Sequence, residues 1–245
     1  MKQVVEIIER CAKNTCVTRP FRVRADDGNL YWIKGCGGWN RKDLCFELLA
    51  ARIATELGLP VAGFEILGVP QAILEFCVMP GIKDLQAGPA FGSLHVDDAV
   101  SLPPVAVKKV PEELRWKILL FDWWIQNEDR TLGRAGGNVN LLWNAEDNQL
   151  TVIDHNIAFD NEFSESKFFK NHVFRKERGQ IPTEFLLEQQ EVFAKLTARF
   201  SEFTDDFPEE WSERDDFPGD FIPETVCEIL SRFDRLPDVF RRQES

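Results

Sequence analysis

No apolar run in the sequence approaches the roughly 18 residues that a bilayer-crossing helix needs, and the opening ten residues are too acidic for a secretory leader. Both absences point away from the membrane and toward a cytoplasmic chain. Positive charge is scarce: 29 lysines and arginines stand against 41 aspartates and glutamates, a net of −12. That balance opposes a polyanion held by bulk electrostatics, so nucleic acid is not expected as a partner. Cys-x-x-Cys pairs are missing too. The six cysteines, at 11, 16, 36, 45, 77 and 227, are irregularly spaced and lack histidine companions, which argues against a zinc site or a disulfide framework and predicts reduced thiols. No repeat or low-complexity tract is visible. What is present is 44% apolar content over 245 residues, enough to bury the core of one large domain or of two tightly joined lobes.

Turn chemistry organises the first third. Phe21–Ala25 and Leu30–Lys34 are short β-prone runs around Asp26-Asp27-Gly28-Asn29, a hairpin signal. Residues 42–57 carry apolar positions at helical spacing and stop at Gly58. Beyond Pro60, residues 64–67 and 72–78 read as extended. Residues 1–80 thus predict a small sheet with one helix packed on it, and the Pro- and Gly-rich residues 81–110 a connector. A helix is expected from Pro111 to about Gln126, burying Leu114, Ile118, Phe121 and Ile125. In it Trp123 and Trp124 are adjacent, so at least one is expected to leave the buried face. A second hairpin follows, Val139–Trp143 with Leu150–Ile153, and then helices over 183–200 and 223–233. Between those helices, residues 201–220 hold nine acids and one arginine. They read as a solvated face or as a docking surface for a basic protein partner.

The polar residues around the second hairpin carry chemistry. Asn127, Asp129 and Arg130 follow a buried helix, where a loop can present side chains from a rigid scaffold. Asn138 and Asn140 begin one strand and Asp154 ends its partner, so folding the hairpin brings amide and carboxylate oxygens together, a donor set suited to magnesium and phosphate. Asn140 and Asp154 share a face only if the residue numbers of cross-strand partners sum to an even value. The even register is the expectation. A strand pairing that sets Ile153 across from Asn140 counts against Asn140 as a ligand.

The ordered set Lys34, Glu47, Asn-x-Asp129-Arg, Asn138-x-Asn140 entering Leu-Leu-Trp, and Ile-Asp154-His resembles the HipA-like kinases, distant relatives of protein and phosphatidylinositol kinases. The resemblance implies an α+β, two-lobed protein-kinase-like fold: an N-lobe over 1–80, a connector over 81–110 and a mainly helical C-lobe over 111–245. It implies ATP with Mg2+ as cofactors, Asp129 as the catalytic aspartate, and Asn138, Asn140 and Asp154 as metal ligands. Lys34 would grip the ATP phosphates with Glu47 as its ion-pair partner, and Glu75, Phe76, Cys77 and Val78 would meet adenine as a hinge strand. The implied activity is transfer of the γ-phosphoryl group to a Ser/Thr hydroxyl of a protein, the chain itself included, with Phe163-Ser-Glu-Ser166 in the position of an activation segment. Two departures stand out: Asp129 to Asn138 spans nine residues where the family has five, and no glycine-rich loop precedes Phe21. They keep a pseudokinase binding module open, and the same residues would also serve a small-molecule or lipid kinase.

Overall fold

The computed structural model describes residues 1–12, 16, 18–37, 41–133, 137–212 and 223–241. The strands are β1 (Lys2–Arg10), β2 (Phe21–Ala25), β3 (Leu30–Lys34), β4 (Phe64–Val69), β5 (Gly88–Leu94), β6 (Ala99–Ser101), β7 (Leu141–Asn144) and β8 (Gln149–Val152). The helices are α1 (Arg41–Glu56), α2 (Gln71–Phe76), α3 (Glu112–Trp124), α4 (Glu165–Asn171), α5 (Thr183–Ala198), α6 (Glu209–Ser212), α7 (Pro223–Leu230) and α8 (Leu236–Phe240). The α+β class is as expected. The chain divides into two compact units, one of residues 1–48, 62–97 and 206–221, the other of 49–61, 98–205 and 222–245.

The first unit is a closed five-stranded barrel in the order β1-β2-β3-β5-β4, with β1 and β4 parallel and the other pairs antiparallel. Its interior is filled by Phe21, Val23, Tyr31, Ile33 and Leu67, with Val4 from β1. The β2–β3 hairpin turns where the Asp-Gly pair predicts: Gly28 takes φ +84°, and the Asp27 carboxylate accepts the Asn29 N–H at 2.9 Å. Register shifts in β1 opposite β2 mark the irregularities that let a short sheet curl closed.

Two expectations for this unit are corrected. The fifth strand comes from within residues 81–110, so that stretch is not a simple connector. Its glycines and proline disguise β5, yet they suit a crowded wall, since a Cβ on Gly92 would lie 2.8 Å from Leu67. The 72–78 run, expected as an extended strand, lies in helix α2 as far as Phe76. Its apolar residues sort by helical position: Ile73, Leu74 and the following Met79 pack on the barrel core, while Phe76 and Val78 stand 86% and 98% exposed.

The cysteine reading is also corrected. Cys11 and Cys16 are joined in a disulfide, and Cys36, Cys45, Cys77 and Cys227 stand outside that bridge. Backbone bonds from Cys11 N–H to the Pro20 carbonyl and from Cys16 N–H to the Ala12 carbonyl fold the segment back, bringing the two Cα atoms to 6.1 Å, within bonding reach. Irregular spacing along the sequence hid this local pairing.

The second unit is mainly helical and holds a three-stranded sheet, β6-β7-β8. Its centre is α3, where residues Ile118–Trp124 are all buried, so no polar face remains. Both tryptophans are enclosed, against the expectation that one would escape. Trp124 stacks on Phe193 at 4.0 Å and donates its indole N–H to the Leu230 carbonyl at 2.7 Å, while Trp123 packs edge-on against Phe240. From Ile118 onward the helix is buried all round because α5, α7 and α8 bring partners to it from several directions. Among the described residues, no helix is long and apolar enough to cross a membrane.

Within the acidic stretch 201–220, residues 213–220 lie outside the described residues. The remainder is less solvated than its charge suggests: Phe203 and Trp211 are buried, and Trp211 donates its indole N–H to the Pro89 carbonyl at 3.1 Å within the first unit.

Candidate active site

The first unit supplies an ion pair. Lys34 ends β3, is 7% exposed, and donates to both carboxylate oxygens of Glu47 on α1, at 3.1 and 2.9 Å. Neither charge can be taken out of water alone, so each requires the other. Asp43 lies one helical turn before Glu47; burial pushes its carboxyl up to about 6, against the pull of the Lys42 and Lys34 ammonium groups. Glu47→Gln is expected to leave the Lys34 ammonium with a weakened partner and to lower the Tm by several degrees, whereas Lys34→Met with Glu47→Gln recovers part of that loss; thermal melts of the three proteins check this. Of the four residues expected to form an adenine-contacting strand, Glu75 and Phe76 lie in α2. Cys77 caps that helix, its N–H donating to the Leu74 carbonyl at 3.4 Å, and Val78 follows in the open.

The second unit supplies a carboxylate–amide cluster centred on Asp129. The Asn140 amide donates to Asp129 Oδ2 at 2.9 Å, and the Asn138 amide donates to the same oxygen. Asp154 is close enough for its charge to act on Asp129. Burial first, and then the Asp154 charge, push the Asp129 carboxyl up to about 6, with the two amide bonds and Arg130 opposing. The nine-residue span from Asp129 to Asn138 closes on itself. Thr131 N–H donates to the carbonyls of both Asp129 and Asn138, at 2.8 and 2.7 Å, and a Cβ on Gly137 would strike the Thr131 carbonyl. Residues 134–136 fall outside the described residues.

The hairpin register is odd. Leu141 pairs with Val152 and Leu142 with Thr151, which sets Ile153 across from Asn140, its N–H donating to the Asn140 carbonyl at 3.2 Å. The even-register expectation is therefore wrong, and by simple alternation Asn140 and Asp154 would point to opposite faces. They do not follow alternation, because both leave the ladder in the left-handed region, Asn140 at φ +48° and Asp154 at φ +57°. Asparagine and aspartate are the non-glycine residues that tolerate this region best. Each turns its strand end, and the Asp129 carboxylate feels both side chains. A register rule that assumes regular strands cannot see such a turn.

Beneath this cluster lies a buried polar network that sequence reasoning left unassigned. Asp122 and Arg130 are both 0% exposed. Arg130 binds Asp122 through Nε at 2.7 Å and Nη2 at 3.3 Å. The Asn127 amide adds a bond to Asp122 Oδ1 at 2.8 Å, and its own carbonyl accepts the Asp129 N–H at 3.3 Å. His172 completes the shell: Phe174 N–H donates to Nδ1, so Nε2 carries the proton and donates to Asp122 at 2.9 Å. Burial holds His172 below its ordinary value, consistent with a neutral ring. Burial alone would raise the Asp122 carboxyl, but the Arg130 charge and the His172 bond outweigh it and hold the group down at about 2. The available signal was Asp122 itself, a lone acid in the run Ile-Leu-Leu-Phe-Asp-Trp-Trp that had to find a buried cation.

A metal fits this donor set. The Asp154 charge acts on the Asp129 carboxylate, so two acidic side chains lie near one another, and the asparagine amides carry neutral oxygens beside them. Hard divalent cations favour such all-oxygen sets. Among the described residues, no group of three or more His, Cys, Asp or Glu side chains is placed to hold a metal ion.

A buried Lys–Glu pair in the barrel unit and a carboxylate–amide cluster in the helical unit are the two groupings that the resemblance to HipA-like kinases implies. The sequence profile of the HipA-like kinases matches residues 4–243, and the chain belongs to that family. In three dimensions it is similar to the Helicobacter pylori proinflammatory kinase CtkA, with a TM-score of 0.53 and 12% identity over 96% of this chain and 94% of that one. The FAT and kinase domain of CtTel1 matches remotely, with a TM-score of 0.33 and 12% identity over 96% of this chain and 23% of that one. No curated protein matches.

Proposed function

We propose that this protein is an active ATP-dependent, magnesium-requiring kinase that transfers the γ-phosphoryl group to a serine or threonine hydroxyl of a protein, its own chain included. In this reading the barrel unit, extending through β5, is the small lobe of a kinase and the helical unit its large lobe. Lys34, oriented by Glu47, binds ATP phosphates. Asp154, Asn138 and Asn140 carry the oxygens that would hold Mg2+, which when bound neutralises charge developing on the phosphates. Asp129 accepts the hydrogen bond of the acceptor hydroxyl and aims its oxygen at the γ-phosphorus. The P–O bond to that oxygen forms as the bond to the β-phosphate oxygen breaks, ADP carries away the electron pair, and the hydroxyl proton passes to Asp129.

The observation that carries this reading is the convergence on Asp129 of two amides and a carboxylate from the ends of a hairpin whose register alone would part them. Asn140 and Asp154, both of residue types that adopt positive φ readily, turn their strand ends so that both side chains act on Asp129. Retention of both charged clusters favours catalysis over a pseudokinase role.

A thermal-shift titration with ATP, with and without Mg2+, tests the site. A magnesium-dependent rise in Tm is expected, and no shift in either condition sinks the proposal. Incubation with γ-labelled ATP, alone and with a cell lysate, then separates self-modification from transfer to another protein; label confined to small molecules or lipids would replace the protein acceptor.

A further inference from the structure

Arg130 does more than neutralise Asp122. Its guanidinium has a third arm: Nη1 donates to the Asn140 carbonyl and, at 3.3 Å, to the Ile153 carbonyl. These carbonyls sit where the hairpin leaves its ladder. The Ile153 carbonyl belongs to the peptide that enters Asp154, and the Asn140 carbonyl belongs to the left-handed asparagine itself. One planar cation therefore holds both turned strand ends from below, while its other edge is fixed by a carboxylate on α3. Asn127 links the same carboxylate to the Asp129 N–H. The backbones presenting Asp129, Asn140 and Asp154 are thus all referred to Asp122, two of them through Arg130.

We propose that Arg130 is a positioning residue for phosphoryl transfer: it locks the peptide planes from which Asn140 and Asp154 present their oxygens, and takes its own orientation from Asp122. This rests on the kinase reading above and adds to it where the geometry of the site originates. A forked, planar donor is needed, because a single ammonium cannot hold Asp122 and reach two carbonyls on the far side. Side chains that orient metal-holding groups typically change metal affinity or activity about ten- to a hundredfold when removed.

The test is Arg130→Lys, which keeps the charge and loses the fork. Relative to wild type, kcat is expected to fall at least about tenfold and the Mg2+ concentration for half-maximal rate to rise severalfold, while the KM for ATP at saturating Mg2+ changes less than about threefold. Hydrogen exchange supplies a readout independent of activity: the Ile153 amide should exchange at least about tenfold faster, with Leu142 and Thr151 in the middle of the hairpin unchanged. Trp124→Phe, which gives up the indole bond to Leu230, is the control for general loosening of the same unit and should leave the Mg2+ dependence as in wild type. Should Arg130→Lys fail to fold, Asp122→Asn, which leaves one acceptor for the guanidinium, is expected to shift Mg2+ dependence and Ile153 exchange in the same directions. A lysine variant indistinguishable from the Trp124→Phe control in kcat, Mg2+ dependence and Ile153 exchange overturns the assignment. A wild-type protein that transfers no phosphoryl group instead overturns the kinase reading, and the exchange comparison then decides the clamp alone.

Discussion

Asp129→Asn is expected to reduce phosphoryl transfer by a factor on the order of 10²–10⁴, the range for loss of a positioned proton acceptor, with ATP binding and fold retained. The same substitution is expected to raise thermal stability at neutral pH in the absence of Mg2+. The sign follows from linkage. In the fold the Asp129 carboxyl is pushed up to about 6 by burial and by Asp154, whereas the unfolded chain releases its proton near the ordinary carboxylate value. Between those two values the folded state binds more protons, so stability falls as pH rises, and above about 6 the full penalty of the ionised group is present. Asparagine carries no such penalty. Melts of both proteins from pH 4 to 8 should therefore start together and diverge as pH rises, and added Mg2+ should narrow the gap by offsetting the Asp129 charge and so stabilising the wild type more than the variant. Unchanged turnover in the variant would remove Asp129 from the chemistry; parallel melting curves would show that its carboxylate is not under strain.

The largest loss of stability is expected for Asp122→Ala. The substitution leaves the Arg130 guanidinium, wholly enclosed, without its counter-charge, and leaves the His172 Nε2 proton and the Asn127 amide without an acceptor. Breaking a buried pair from one side costs about 3–5 kcal/mol. For a chain of this size that corresponds to roughly 6–20 °C in Tm. Removing both charges is less damaging than removing one, so Asp122→Ala with Arg130→Met should recover part of the loss while remaining inactive. A single variant that melts within about 2 °C of wild type would mean that water reaches the network on unfolding no more easily than it does in the fold.

Local chemistry made much of the fold legible. The β2–β3 hairpin follows from Asp-Gly between β-prone runs, α1 from its apolar spacing and Gly58, and α3 and α5 from prolines and acids at their starts. Elements whose state depends on the rest of the chain were not legible. Residues 88–94 look like a loop because glycine is what the barrel wall accepts there, and 72–78 look like a strand because the run is apolar, although the barrel takes only part of it. At the site, residue types and order pointed to the cluster around Asp129, but the reason it forms was misjudged. Alternation along strands is a rule for regular ladders, and Asn140 and Asp154 lie one step beyond the ladder. The pairing of Asp122 with His172 was not legible because it spans 50 residues, and no pattern in the sequence ties the two together.

The return of residues 206–212 to the barrel unit bears on how the protein is made. Trp211 closes against Pro89 only after more than a hundred intervening residues have been synthesised. A ribosome that has delivered the barrel strands has therefore not yet delivered everything that unit contains, so the amino-terminal unit cannot be completed during early translation. Its last piece arrives with the carboxy-terminal part of the chain, and a product truncated near residue 200 would lack part of both units at once.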